Sequence, residues 1–267
     1  MCYDVATYLT TRQIEEYFPG LIIEPLIENS PEPQSHLLAQ AFPQTSAIVY
    51  ENDSYRLKSF EWGVVTEYMD TPQKVQEFRR SHCNATMEKL LYDKRSFWYR
   101  IRKKRCLIPV TGFYEHRMVK GFKNKIPYFI WVKERPFFCL PAVYHYNPLM
   151  ADLETGLITE TFSVITRPAN KVMAKIHNSG FNKNRMPVLF NNSEQEKQWL
   201  QPDLSAEDME ALLQYELPED KVECHTVYKI RGSSVRPDGR KKFEVFEYPG
   251  IQSSGVGELN TDQQELF

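Results

Sequence analysis

Apolar strand-like segments with isolated helical stretches among them, and no regular strand–helix–strand alternation, predict an α+β domain built around a curved, largely antiparallel sheet. Segments 106–114, 126–132, 137–146, 157–166 and 222–229 are rich in β-branched and aromatic residues, with turn residues between them. Helical composition is confined to 169–176, 193–200 and 205–216, with a further stretch beginning near residue 72. A length of 267 residues suits one domain with a tail.

Taken in order, residues 1–60 carry short apolar bursts, such as Leu21-Ile22-Ile23 and Ala47-Ile48-Val49-Tyr50, broken by polar, proline-containing runs. They are expected to form short strands and loops. Thr71-Pro72 is a helix start, with a capping hydroxyl followed by a proline at the first helical position. The helix-compatible segment runs to about Leu91 with a break near Asn84, which is itself a candidate cap for a second helix. After Tyr248 the composition turns to Gly, Ser, Gln, Asn and Glu, so the domain is expected to span 1–248 and residues 249–267 to form a disordered tail.

With 42% hydrophobic and 25% charged residues and no uninterrupted apolar run of bilayer length, the composition is that of a water-soluble protein. The opening MCYDVATYLTTRQ lacks both a basic and an apolar leader region, so cytoplasmic location is the expectation. Cys2, Cys83, Cys106, Cys139 and Cys224 form no C-x-x-C pair, which points to reduced thiols. A net charge of −2 supplies no global attraction for nucleic acid, so any such binding must come from a local patch.

Removal of Met1 would leave Cys2 as the terminus. Such a residue carries an α-amine of pKa roughly 7.7–8.0 and a thiol of pKa near ~8.5 on adjacent carbons. That pair condenses with an aldehyde, first as a Schiff base through the amine and then as a thiazolidine through the thiol. Four other stretches bear on such chemistry. Asn84-Ala85-Thr86-Met87-Glu88 places an amide at a structural junction. The apolar run Arg105-Cys106-Leu107-Ile108-Pro109-Val110-Thr111-Gly112-Phe113-Tyr114 ends in Glu115, a carboxylate beside aromatics whose partial burial would suit it to acid/base work. In the stretch from Thr166 to Val188, His177 is a candidate proton shuttle, with Arg185 and Thr166 as polar company. Finally, Lys94, Arg95, Arg100, Arg102, Lys103, Lys104 and Arg105 surround Phe97-Trp98-Tyr99 with no acidic residue between them. Cations that neutralise phosphates and rings that stack on bases make this run a candidate single-strand platform.

Cys2, Asn84-Ala85, the Arg105–Pro109 run with Gly112-Phe113-Tyr114-Glu115, and Ile176-His177 with Arg185-Met186-Pro187 resemble, in order and spacing, the SOS response-associated peptidase-like (SRAP) family, whose members shield abasic sites in single-stranded DNA. The resemblance runs from Cys2 to about Tyr228. It implies a barrel-like core with peripheral helices and a thiazolidine crosslink from Cys2 to the abasic deoxyribose. It also implies Asn84, Glu115 and His177 as the polar residues around Cys2, Arg185 as a phosphate contact, and no metal or organic cofactor. Trp62, Arg100, Arg102, Lys103, Arg105 and Thr166 join Arg185 as expected DNA-binding positions, for a monomer acting on abasic single-stranded DNA away from membranes.

The departures from the family pattern concern charge. The usual Gly-Arg after the cysteine is Tyr3-Asp4, the Arg two residues after the Asn is Thr86, and the Trp62-Gly63 pair is followed by Val64-Val65-Thr66-Glu67-Tyr68 without the usual Pro and second Trp. The spacing from His177 to Arg185 is also longer than usual. Besides aldehyde capture, two other readings stay open. One is an N-terminal-cysteine amidohydrolase or self-processing peptidase, in which the thiolate attacks a carbonyl. The other is a plain single-strand binding module. The chain's end, Gln263-Gln264-Glu265-Leu266-Phe267, resembles the Gln-x-x-Leu-Phe peptides that dock bacterial repair proteins on the sliding clamp, which makes the clamp a candidate partner.

Overall fold

The computed structural model describes residues 2–25, 33–152, 156, 158–232 and 236–256. Among these residues thirteen strands run β1 (Asp4–Thr7), β2 (Ile22–Ile23), β3 (Gln34–Leu38), β4 (Gln44–Glu51), β5 (Ser54–Trp62), β6 (Asn84–Thr86), β7 (Arg105–Val110), β8 (Gly112–Arg117), β9 (Ile126–Val132), β10 (Phe138–His145), β11 (Thr161–Pro168), β12 (Arg185–Pro187) and β13 (Val222–Thr226). They form two sheets. The smaller has the order β13-β9-β8-β1-β3; the larger runs β12-β11-β10-β7-β4-β5-β2, and a further pairing of β11 with β5 bends it into a ring. Most pairings are antiparallel, while β11–β5, β11–β6 and β2–β5 are parallel. The predicted α+β class and its curved sheet are therefore what the chain forms.

The period-2 alternation of strands explains why β7 is buried on both faces. Cys106, Ile108 and Val110 belong to the cluster shared with Phe138, Leu140, Phe162 and, from the smaller sheet, Val5 and Phe113. Leu107 belongs instead to the cluster in which Ile48, Cys139 and Ile165 meet Trp98, Trp199 and Leu213 of the surrounding helices. One residue, Thr111, separates β7 from β8, so here the chain passes directly from the ring into the smaller sheet. The Thr111 amide and hydroxyl both donate to the Ala6 carbonyl, at 2.9 and 3.1 Å, which ties this crossing to β1. A Cβ on Gly112 would stand 2.3 Å from the Phe129 ring and 2.7 Å from the Ile130 carbonyl oxygen, so only glycine fits.

The helices at Lys171–Ile176, Ser193–Leu200 and Ala206–Gln214 fall where composition placed them. Thr71 caps Pro72–Phe78 as expected, but that helix gives way to a 3-10 turn at Arg79–His82. Asn84 is not a helix cap. It opens β6, whose backbone is drawn into parallel pairing with β11, and the helix Met87–Leu91 starts from Thr86 instead. The opening segment also holds a helix that composition did not predict, Thr11–Tyr17, fixed by a capping box between Thr10 and Gln13. β4 and β5 form a long hairpin whose turn residues Asn52 and Asp53 have φ of 51° and 56°, as a type I′ turn requires.

Beyond Tyr248 the described chain keeps contact with the smaller sheet as far as Val256. Residues 253–255 lie along β13, with the Thr226 amide donating to the Ser253 carbonyl and the Gly255 amide to the Cys224 carbonyl, each at 2.8 Å. Ile251 and Val256 pack on the interior cluster, so the segment supplies apolar contacts that its polar composition concealed. The clamp-like end at Gln263–Phe267 lies outside the described residues. No helix among the described residues is long and apolar enough to cross a membrane.

Candidate functional site

Cys2 lies two residues before the start of β1, which runs between β8 and β3 in the smaller sheet, and its side chain is buried. Burial pushes the thiol well above its usual range, so the sulfur is held protonated. The neighbouring backbone is fixed where the Ala39 amide donates to the Tyr3 carbonyl at 2.8 Å. The same Ala39 offers its carbonyl to the Cys83 thiol at 3.6 Å, which brings the residue before Asn84 to the start of β1.

Glu115 sits on β8, on the face that Phe113 turns towards the interior. Its carboxyl accepts the His116 amide at 2.9 Å. Burial raises its pKa from 4.5 to about 7, which leaves it shared between acid and base forms at neutral pH. His177 stands at the C-terminal end of the helix Lys171–Ile176, with Nδ1 3.8 Å from Oε2 of Glu115 and 2.9 Å from the Arg185 carbonyl oxygen. Donation to that carbonyl requires the proton on Nδ1 and leaves the lone pair on Nε2. Burial depresses the pKa of the ring, so the neutral imidazole is favoured.

The longer spacing between His177 and Arg185 is absorbed by a closed loop. The Asn184 amide donates to the His177 carbonyl at 2.9 Å, and the Ala169 amide donates to the Asn184 carbonyl at the same distance. The Asn178 side chain clasps the backbone of Met118, accepting from its amide at 2.8 Å and donating to its carbonyl at 2.9 Å. The extra residues therefore leave the base of the loop fixed, and Phe181 within the loop is fully exposed.

Asn84 is 6% exposed, and neither its Oδ1 nor its Nδ2 has a hydrogen-bond partner among the described residues. A buried amide left unpaired on both atoms costs stability, and such groups collect where a ligand is to be met. Arg185 opens β12 and donates through Nη1 and Nη2 to the two carboxylate oxygens of Glu88, at 2.6 and 3.0 Å. It also donates to the Thr166 carbonyl at 2.8 Å. Thr166 is wholly buried and bonds to the Ala85 carbonyl, so it positions β6 against β11.

The remaining expected DNA-binding positions divide by exposure. Trp62 is buried and donates from Nε1 to the Cys83 carbonyl at 2.8 Å, a scaffold contact under the site. Arg105 is buried too, with its guanidinium spent on the Trp199 and Gln201 carbonyls. Phe97 and Trp98 face the core and are not laid open as a stacking surface. Arg100 and Lys103 are exposed, and Arg102 is half-buried with its guanidinium 3.5 Å over the Tyr99 ring. This run is therefore a charged surface with a core-facing aromatic side.

Composition and motif reading passed over one cluster. Asp4 is buried, and its carboxylate accepts from Nε2 of His36 at 2.8 Å, from Nε of Arg231 at 2.9 Å and from Nη2 of Arg231. Burial alone would raise this carboxyl, but the hydrogen bonds from His36 and Arg231 hold it below the ordinary carboxylate range. Arg231 is separated from Asp4 by almost the whole chain, and no local spacing signals the pair. The cysteines of the described residues are all free and buried, and no group of three His, Cys, Asp or Glu residues among them is placed to hold a metal ion.

Comparison with known proteins agrees with this architecture. A protein from Bacteroides thetaiotaomicron superposes with a TM-score of 0.72 at 28% identity, covering 85% of this chain and 92% of that one. "Abasic site processing protein YoqW" of Bacillus subtilis is 30% identical over 193 residues, which is 69% of this chain and 76% of YoqW. "Abasic site processing protein YobE" of the same species is 28% identical over 206 residues, covering 76% of this chain and 86% of YobE. The family model "SOS response associated peptidase (SRAP)" matches residues 1–233, and so this chain belongs to the SRAP family.

Proposed function

We propose that the protein binds single-stranded DNA and captures the ring-opened aldehyde of an abasic site on Cys2. The observation that carries this reading is the buried Glu115 carboxyl, raised to about 7 and 3.8 Å from His177, on the strand that pairs with β1 just beyond Cys2. The names of the Bacillus relatives, which assign them abasic-site processing, point the same way.

The chemistry follows from the groups present. Once Met1 is removed, the α-amine of Cys2 adds to the aldehyde carbon and water leaves, giving a Schiff base. The thiol then adds to the imine carbon, its sulfur bonding to carbon while a proton passes to nitrogen. A thiol held neutral by burial needs a base at this step, and a carboxyl that titrates near 7 is that base. In its acid form the same group assists opening of the sugar hemiacetal. His177, neutral with its lone pair on Nε2, serves the later proton transfers of closure and reversal, and Asn84 supplies an amide to the sugar or to the Cys2 backbone.

The test is mass spectrometry of the N-terminal peptide after incubation with abasic single-stranded DNA. The expected product is a denaturation-resistant adduct on Cys2, absent from Cys2→Ala; Cys2→Ser should yield only a Schiff base trappable by borohydride. One residue added ahead of Cys2 should abolish the stable adduct. Its persistence in that extended variant would overturn the mechanism. Hydrolysis of a small amide without any DNA adduct would favour the amidohydrolase reading instead.

A further inference from the structure

The Asp4 cluster lies outside the machinery assigned so far, yet it adjoins Cys2. Asp4 is two residues along the chain, and Arg231 is among the charges that act on both Tyr3 and Glu115. The guanidinium is held by two points on one buried carboxylate, an arrangement that fixes its plane. That contact uses Nε and Nη2; Nη1 has no hydrogen-bond partner among the described residues, and the Arg231 side chain is 43% exposed.

A second cation adjoins the first. Lys242 donates from Nζ to the Ile230 carbonyl at 2.8 Å and lies 3.5 Å from Nδ1 of His36, whose Nε2 holds Asp4. Arg231 and Lys242 set two cations beside the Asp4 carboxylate at a half-open surface, with Glu115 as a further acid acting on Arg231.

We propose that Arg231, docked on Asp4 and supported by Lys242, forms an anion subsite that holds a backbone phosphate of the DNA strand beside Cys2. This rests on the single-strand reading above. It also gives Asp4 a purpose, since its carboxylate anchors an arginine that lies more than two hundred residues further along the chain.

The experiment measures binding of a fluorescent, undamaged oligothymidylate by anisotropy between 50 and 200 mM salt, for the parent and for Arg231→Gln. One phosphate contact on a single strand contributes about 0.7 to the slope of log affinity against log salt, so across this range the parent should lose roughly 2.6-fold more affinity than the variant. Arg231→Lys, which keeps the charge, should keep the parent slope. Since Arg231→Gln leaves a buried carboxylate without its ion-pair partner, Asp4→Asn/Arg231→Gln is measured beside it and reads the same slope with both charges removed. An unchanged slope in the folded variants would overturn the subsite. Adduct formation by the parent on abasic DNA is scored separately: its absence would sink the aldehyde-capture reading, while a reduced slope on undamaged DNA would still support the phosphate contact.

Discussion

Nδ1 of His177 lies between two oxygens, 2.9 Å from the Arg185 carbonyl and 3.8 Å from the Glu115 carboxylate, and the nearer of them sets the histidine's tautomer. Because burial raises Glu115 from 4.5 to about 7, the folded state favours its protonated form. The associated stability is fully present below the unfolded pKa and is lost as pH rises through about 7. Glu115→Gln, which mimics the acid form at every pH, should match the parent in urea unfolding near pH ~4 and exceed it near pH ~8 by up to about 3 kcal/mol. The same variant should form adduct more slowly by ~10²–10⁴-fold. His177→Ala should alter chiefly the closing or reverse step. Parallel unfolding curves at both pH values would show that Glu115 ionises without penalty.

Asn84 predicts an opposition between stability and activity. Its buried amide makes no hydrogen bond among the described residues that a substitution could remove, so Asn84→Leu, close in volume, should raise the unfolding free energy by about 1–3 kcal/mol, the cost of burying an unsatisfied polar group. Adduct formation should fall at the same time. A destabilised Asn84→Leu would mark the amide as a structural contact instead.

Arg185 is bound on both sides, by Glu88 and by the Thr166 carbonyl, so its charge is largely balanced before any strand arrives. Glu88→Gln should release that charge, tighten binding to single-stranded DNA and steepen the salt dependence by about 0.7 for the phosphate gained. Anisotropy with undamaged DNA reads both. Equal slopes in parent and variant would confine Arg185 to holding β12 against β11.

The 94–105 run should respond differently on its two sides. Lys103→Glu, at an exposed position, should weaken strand binding and flatten its salt slope with no change in thermal midpoint. Trp98→Ala should cost about 3–5 kcal/mol of stability, as emptying a core site does. A Trp98→Ala protein of parental stability with weaker strand binding would restore the ring as a stacking surface.

Much of this was legible in the sequence because it depends on local pattern. β9, β10 and the helix Ser193–Leu200 follow from residue type and spacing, and Gly112-Phe113-Tyr114-Glu115 marks a strand ending in a carboxylate even before its burial is known. Asn84 looks like a helix cap by local rules yet opens β6, since pairing with β11 is a long-range event that no helix-cap rule contains. The capping box at Thr10 and the Asn52-Asp53 turn were readable signals that composition alone passes over. The Arg231–Asp4 and Arg185–Glu88 pairs had no local signal, because each joins charges that only the folded chain brings together. The same holds for Arg105, whose place in a basic run suggested an open cation but whose guanidinium closes on the carbonyls at the end of a helix.

β1 lies inside the smaller sheet, between β3 and β8, and that placement bears on when the protein can be made ready for work. Its partner β8 begins at Gly112, so the strand cannot be enclosed until more than a hundred residues have left the ribosome. At roughly 5–20 residues per second, this leaves several seconds in which the start of the chain hangs free. Once folded, the Cys2 side chain is 1% exposed. The proposed chemistry requires Met1 to be gone, and the nascent chain offers an interval of seconds for that trimming before β1 takes its place between its neighbours.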